Sequence, residues 1–134
     1  VSALRIEIFP DDLDLAASFY SEVLEFDVVR DERTEASPYL VLQRGDVRVG
    51  AAERASLNTR PRRPPIGVEL VLEVHDLAAA RRRVEETAWP IDEDVTSRPW
   101  GLEDFRLLDP FGYYWRITDR QPRPRHAQHD EGRP

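Results

Sequence analysis

Residues 4–13 read LRIEIFPDDL and residues 68–77 read VELVLEVHDL. Both stretches alternate apolar with polar side chains, the period of a strand with one buried face, and both then reach an Asp-Leu pair. At a constant offset of 64, Ile6 falls on Leu70, Ile8 on Leu72, Asp12-Leu13 on Asp76-Leu77 and Ala16 on Ala80. Pro10 ends the first strand. Asp11 and Asp12 offer N-caps, and Leu13, Ala16, Ala17, Tyr20, Val23 and Leu24 recur at helical spacing. In the second stretch Asp76 takes the cap, and Leu77, Ala80, Arg81, Val84 and Ala88 continue as a helix that must stop before Pro90. The chain is an internal repeat whose unit opens strand, then helix.

Outward from these openings, Phe26–Arg30, Tyr39–Gln43 and Val47–Ala51 read as strands, the last two joined by a hairpin turn at Arg44-Gly45-Asp46. Phe105–Leu108 and Tyr113–Thr118 flank a Pro- and Gly-bearing turn at 109–112. Each unit is therefore expected to be βαβββ. One amphipathic helix cannot cover such a sheet, so the two units should associate into one α+β domain with a cup-shaped, curved mixed sheet. That domain is expected over residues 1–118, as repeats of about 1–58 and 66–118 joined by a linker at 59–65, where Arg60–Pro65 reads RPRRPP. Residues 119–134, with three prolines, four arginines and almost nothing apolar, are expected to form a mobile tail.

Composition narrows the function classes. The chain of 134 residues has no cysteine, and its 19 basic side chains, all arginine, stand against 26 carboxylates for a net charge of −7. Disulfides and Cys-ligated zinc are excluded. The sign of the charge disfavours nucleic acid as a partner. No apolar run suits a membrane span, and Arg5, Glu7, Asp11, Asp12 and Asp14 interrupt any signal-peptide core, so a soluble cytoplasmic domain is expected.

Asp12-Leu13, Phe19-Tyr20 and Val23-Leu24-Glu25-Phe26, followed by Pro99-Trp100-Gly101, Phe105 and Asp109-Pro110-Phe111-Gly112, resemble the vicinal oxygen chelate superfamily, the group of glyoxalase I, extradiol dioxygenases and bleomycin resistance proteins. The closing motif is most similar to bleomycin resistance proteins. Glu25 stands where the family usually has glycine, and Tyr113 where it commonly has asparagine. The resemblance implies a homodimer and, in catalytic members, a metal held from four strands. The corresponding positions here are Arg5, Glu69, Arg116 and, within one residue, Val49. Arginine has no lone pair to give a cation and valine no donor at all, so neither a metal nor another cofactor is expected.

Period two places Arg5, Glu7 and Phe9 on one face of the first strand, Glu69, Val71 and Glu73 on one face of the fifth, and Tyr114, Arg116 and Thr118 on one face of the last. Opposite them, the aliphatic residues should pack beneath the helices. Arg5, Glu69 and Arg116 then either form an ion-pair cluster with a guanidinium free for a ligand oxygen, or merely belong to a solvated sheet face. Phe9, Tyr114 and Trp100 offer flat surfaces for an aromatic ligand. Phe111, Trp89 and Trp115 are expected to be structural. His75 reads as a rim residue, and His126 and His129 as a tail pair capable only of adventitious metal binding.

The function expected on these grounds is metal-independent binding of a polar aromatic small molecule, a drug or metabolite, through Arg5, Glu7, Phe9, Val49, Glu69, Glu73, Trp100, Tyr114 and Arg116. The acidic charge near Glu7, Glu69 and Glu73 would suit a cationic ligand. The alternative is a lyase, isomerase or dioxygenase of the same fold, either metal-free with Glu69 as base or metal-dependent through ligands in a different register.

Overall fold

The computed structural model describes residues 2–54 and 61–120. The first repeat comprises β1 (Arg5–Ile8), α1 (Leu13–Glu22), β2 (Asp27–Glu32), β3 (Tyr39–Arg44) and β4 (Val47–Ala52). The second comprises β5 (Leu70–Val74), α2 (Leu77–Glu86), β6 (Glu93–Ser97), β7 (Glu103–Leu108) and β8 (Tyr114–Asp119). Strand β6 is the element that hydrophobic alternation does not locate. It is an edge strand of sequence EDVTS, exposed except at Thr96, and its pairing with β7 slips between Glu93 and Thr96.

The expected curved sheet takes the form of two four-stranded mixed sheets of equivalent order, β1-β4-β3-β2 and β5-β8-β7-β6. In each, the opening strand runs parallel to the last, and the other neighbours are antiparallel. The 64-residue offset carries through to register: Glu7 lies opposite Gly50, and Val71, its repeat mate, lies opposite Arg116.

Both helices begin as their sequences dictate. Asp12 and Asp76 are extended, at φ −146° and −131°, and their side chains accept from the backbone N–H of Leu15 and Ala79, each at 3.0 Å. Asp12→Ala and Asp76→Ala should each cost about 1 kcal/mol, additively because the caps share no partner, as read from urea-denaturation midpoints. After α1, Glu25 takes φ 58°, the left-handed conformation that glycine adopts most cheaply. The usual glycine there has a backbone reason.

The core runs through both repeats. Leu13, Ala16, Phe19 and Tyr20 of α1 and Leu77, Ala80 and Val84 of α2 join Ile8, Leu42, Leu72, Phe105, Trp115 and Ile117 in one buried cluster. Phe111 lies in it and Trp89 packs against it, as expected of structural aromatics. Leu4 departs from expectation: it precedes β1 and is 82% exposed. Helix α1 carries several of the contacts that bind the halves together. Phe19 meets Trp89 edge-on at 4.9 Å, and the buried Tyr20 hydroxyl donates to Asp109 Oδ2 at 2.5 Å while accepting from Trp115 Nε1 at 3.1 Å. Asp109 also accepts from the backbone N–H groups of Phe111 and Tyr113, each at 2.8 Å. Burial nevertheless pushes its carboxyl up to about 6.

Among the described residues, no helix is long and apolar enough to cross a membrane.

Candidate functional site

With the aliphatic rows turned toward the helices, each sheet presents its alternate residues on the opposite, open face. In the second sheet β5 alternates buried Leu70, Leu72 and Val74 with exposed Val71 and Glu73. Next to it, β8 contributes Tyr114, Arg116 and Thr118, and β7 contributes Leu108, Arg106 and Asp104 in direct cross-strand register with them.

Charge dominates this face. Asp104 is fully buried, yet its carboxylate accepts from Arg98 at 2.8–3.2 Å and lies 3.8 Å from both Arg106 and Arg116. Arg98 also reaches Glu93 at 2.6 Å, and Glu93 lies 3.5 Å from Arg106. Glu69 sits at the edge, 3.1 Å from Arg116 and 3.9 Å from Arg106. Three guanidiniums thus face three carboxylates, so the acidic face expected to attract a cation is locally balanced.

The first sheet has its own polar group. Glu7 Oε2 accepts from Arg5 Nε at 2.5 Å and from the Tyr39 hydroxyl at 2.8 Å. Room for this comes from Gly50: a Cβ there would lie 2.1 Å from Glu7 Oε2 and 2.2 Å from the Tyr39 oxygen. Burial and the bond to Glu7 raise the Tyr39 hydroxyl's pKa.

The expected cluster of Arg5, Glu69 and Arg116 therefore resolves into two. Glu69 and Arg116 meet, while Arg5 bonds to Glu7 within its own sheet. Val49 is corrected outright: it is completely buried in the core, and Gly50, one residue on, holds the position equivalent to Arg116. Of the flat side chains, Phe9 is half-exposed with the Arg54 guanidinium 4.9 Å above its ring. Tyr114 is buried, its hydroxyl donating to Asp92 Oδ2 at 2.8 Å, and Trp100 is half-buried in the β6–β7 turn. Glu73 and the exposed His75 border a groove of 820 Å³ between the β3–β4 turn and the start of α2, which Val71 also lines. His126 and His129 lie outside the described residues.

Sequence reading missed Arg98, Asp104 and Arg106. The last two were within reach, because alternation along 103–108 puts Phe105 and Leu107 in the core and hence Asp104 and Arg106 beside Arg116.

The metal that the family resemblance implies does not fit these residues. Its positions hold Arg5, Gly50, Glu69 and Arg116, and the single carboxylate among them faces two guanidiniums. Among the described residues, no group of three His, Cys, Asp or Glu side chains is arranged to hold an ion.

Two βαβββ units with this strand order match a known family profile, that of the Glyoxalase/Bleomycin resistance protein/Dioxygenase superfamily, over residues 2–117. The chain belongs to this superfamily. Among curated proteins, none matches the sequence. Solved structures of the superfamily fold are similar at low identity. TioX from Micromonospora sp. ML1 is 18% identical with a TM-score of 0.74, over 90% of this chain and all of that one. A bleomycin resistance determinant encoded on the transposon Tn5 is 22% identical with a TM-score of 0.72, over 91% of this chain and all of that one. A putative glyoxalase family protein from Bacillus anthracis is 14% identical with a TM-score of 0.71, over 90% and 96% respectively. At such identities the likeness speaks for the superfamily fold, and the chemistry rests on the residues themselves.

Proposed function

We propose that this superfamily member binds a polar aromatic small molecule on its open sheet faces without a metal. The observation that carries the reading is the donor set. Where a metal would need convergent lone pairs, the second sheet presents Arg106 and Arg116 with Glu69 held between them. Guanidiniums are planar donors suited to organic oxygens and to stacking. Beside them Val71 and the half-buried Leu108 supply apolar surface, with the buried Tyr114 ring packed beneath, in keeping with the mixed composition of a small-molecule cleft. Both Glu69 oxygens face guanidiniums, at 3.1 and 3.9 Å, which fits a charge partner better than a catalytic group turned toward a substrate.

Homodimerisation belongs to the same reading. Strands β1 and β5 are sheet edges, and the residues leading into them, Leu4, Ile66 and Val68, are the most exposed large apolar side chains among the described residues, at 82%, 63% and 69%. Unpaired edges flanked by apolar residues favour association.

Native mass spectrometry of untagged protein exposed to a small-molecule extract of its host tests both parts. The expected spectrum is a dimer carrying an intact organic molecule. A stoichiometric divalent ion retained by a His126→Ala/His129→Ala variant would overturn the metal-free reading, and a strictly monomeric ligand complex would overturn the dimer.

A further inference from the structure

Arg106 and Arg116 lie directly opposite each other on neighbouring antiparallel strands, a placement that like charges ordinarily avoid. Arg98 nearby shows what a satisfied guanidinium looks like in this network: its Nε and Nη2 donate to Asp104 at 2.8–3.2 Å, and Nη2 also donates to Glu93 at 2.6 Å. Arg106 and Arg116 make ion-pair contacts of 3.1–3.9 Å, and Arg106 also interacts with the Tyr114 hydroxyl, yet the Nε of each is buried without a hydrogen-bond partner. Buried donors left unbonded are costly and rare. Two of them on adjacent cations mark a place short of acceptor oxygens.

Glu69 fills that place imperfectly. It precedes β5, which starts at Leu70, lies at a sheet edge and is one-third exposed, so its side chain can swing outward without loss of a ladder bond. With Glu69 withdrawn, three guanidiniums would face the two carboxylates of Asp104 and Glu93, an excess of one positive charge.

Resting on the reading of the open face as a small-molecule site, we propose that Arg106 and Arg116 form a clamp for the carboxylate of an aromatic monoanion. Glu69 holds the clamp until the ligand displaces it. The carboxylate takes the place of Glu69 on the Nη groups of both guanidiniums, where it is free to settle closer than a tethered side chain, and restores charge balance, while the ring rests on Val71 and Leu108.

The test is a titration of the full chain with benzoate and, separately, with its neutral isostere benzamide at constant ionic strength. The Arg Nε–Hε NMR signals report binding, assigned through the Arg106→Lys and Arg116→Lys spectra. The expected result is a saturable shift of both signals with benzoate alone, abolished in Arg116→Gln. Glu69→Gln, an edge substitution that leaves the core untouched, should tighten benzoate about fivefold, as removal of one partly exposed ion pair predicts. Unchanged or weaker benzoate binding in Glu69→Gln would overturn displacement even if the arginine variants fail to fold. Equal binding of both probes, insensitive to Arg116→Gln, would remove the clamp but leave ligand capture standing. No saturable shift with either probe would also remove the clamp, and the extract experiment would then decide the wider reading separately.

Discussion

Asp104→Ala should lower stability by about 3–5 kcal/mol, the range expected when one member of a buried ion-pair network is removed. Asp104 has no exposed surface and is the carboxylate toward which Arg98, Arg106 and Arg116 all converge. Its loss leaves Arg98 without three hydrogen bonds and sets three partly buried guanidiniums against Glu69 and Glu93 alone. Urea denaturation would show the effect as a fall in midpoint at constant slope, and thermal unfolding as a drop of roughly 10–20 °C. The double variant with Arg98→Met should be less destabilised than the sum of the single variants, because the partner that Asp104 chiefly neutralises is then absent too. Strict additivity would show that Asp104 acts through packing rather than through charge.

Tyr20→Phe should cost about 2–3 kcal/mol at pH 8 and less at pH 5. The substitution leaves the Trp115 N–H without its acceptor and takes from Asp109 the one side-chain donor it has. The sign of the pH dependence follows from Asp109, whose folded carboxyl titrates near 6, above the ordinary 3.8. Between those values the folded state holds the proton more tightly than the unfolded chain does. The stability from this group is therefore complete below about pH 4 and is lost as pH rises through 6. The Tyr20 hydroxyl opposes that loss by stabilising the charged carboxylate. Without it the carboxyl should titrate higher still, so the gap between wild type and variant widens with pH. Urea midpoints for both proteins at pH 5 and pH 8 test this. A gap of equal size at the two pH values would contradict the assignment to Asp109.

The fold was legible because each local signal agreed with its repeat mate. The alternation at 4–9 and 68–74, the Asp caps and the helical stripes all recur 64 residues apart, and one unit corroborates the other. β6 escaped because an edge strand exposed on both faces needs no hydrophobic row; β7 supplies its hydrogen bonds. The site was legible in part for a related reason. Alternation assigns faces, so Glu69 and Arg116 were found together, but it cannot say which strands share a sheet edge to edge, and Arg5 was grouped with partners it does not meet. Val49 and Gly50 are not distinguished by sequence spacing because the two hairpin turns differ in length. The β3–β4 turn closes between Arg44 and Val47, whereas the β7–β8 turn spans the gap between Leu108 and Tyr114. Nothing in composition announces a wholly buried carboxylate such as Asp104, because aspartate is ordinarily a surface residue.

The contacts of α1 with the second repeat also bear on how this protein can move. A duplicated chain with an irregular connection suggests two halves free to rock like a hinge. The Phe19–Trp89 edge contact and the Tyr20–Asp109–Trp115 bonds place the seam between the halves inside the hydrophobic core instead. Opening that seam would expose Phe19, Tyr20 and Trp115 to water and strip the Asp109 carboxylate of the Tyr20 hydroxyl. Relative motion of the halves is therefore opposed by the core itself, and the fast motions expected of this fold are rotamer changes of side chains and strand ends at the rim.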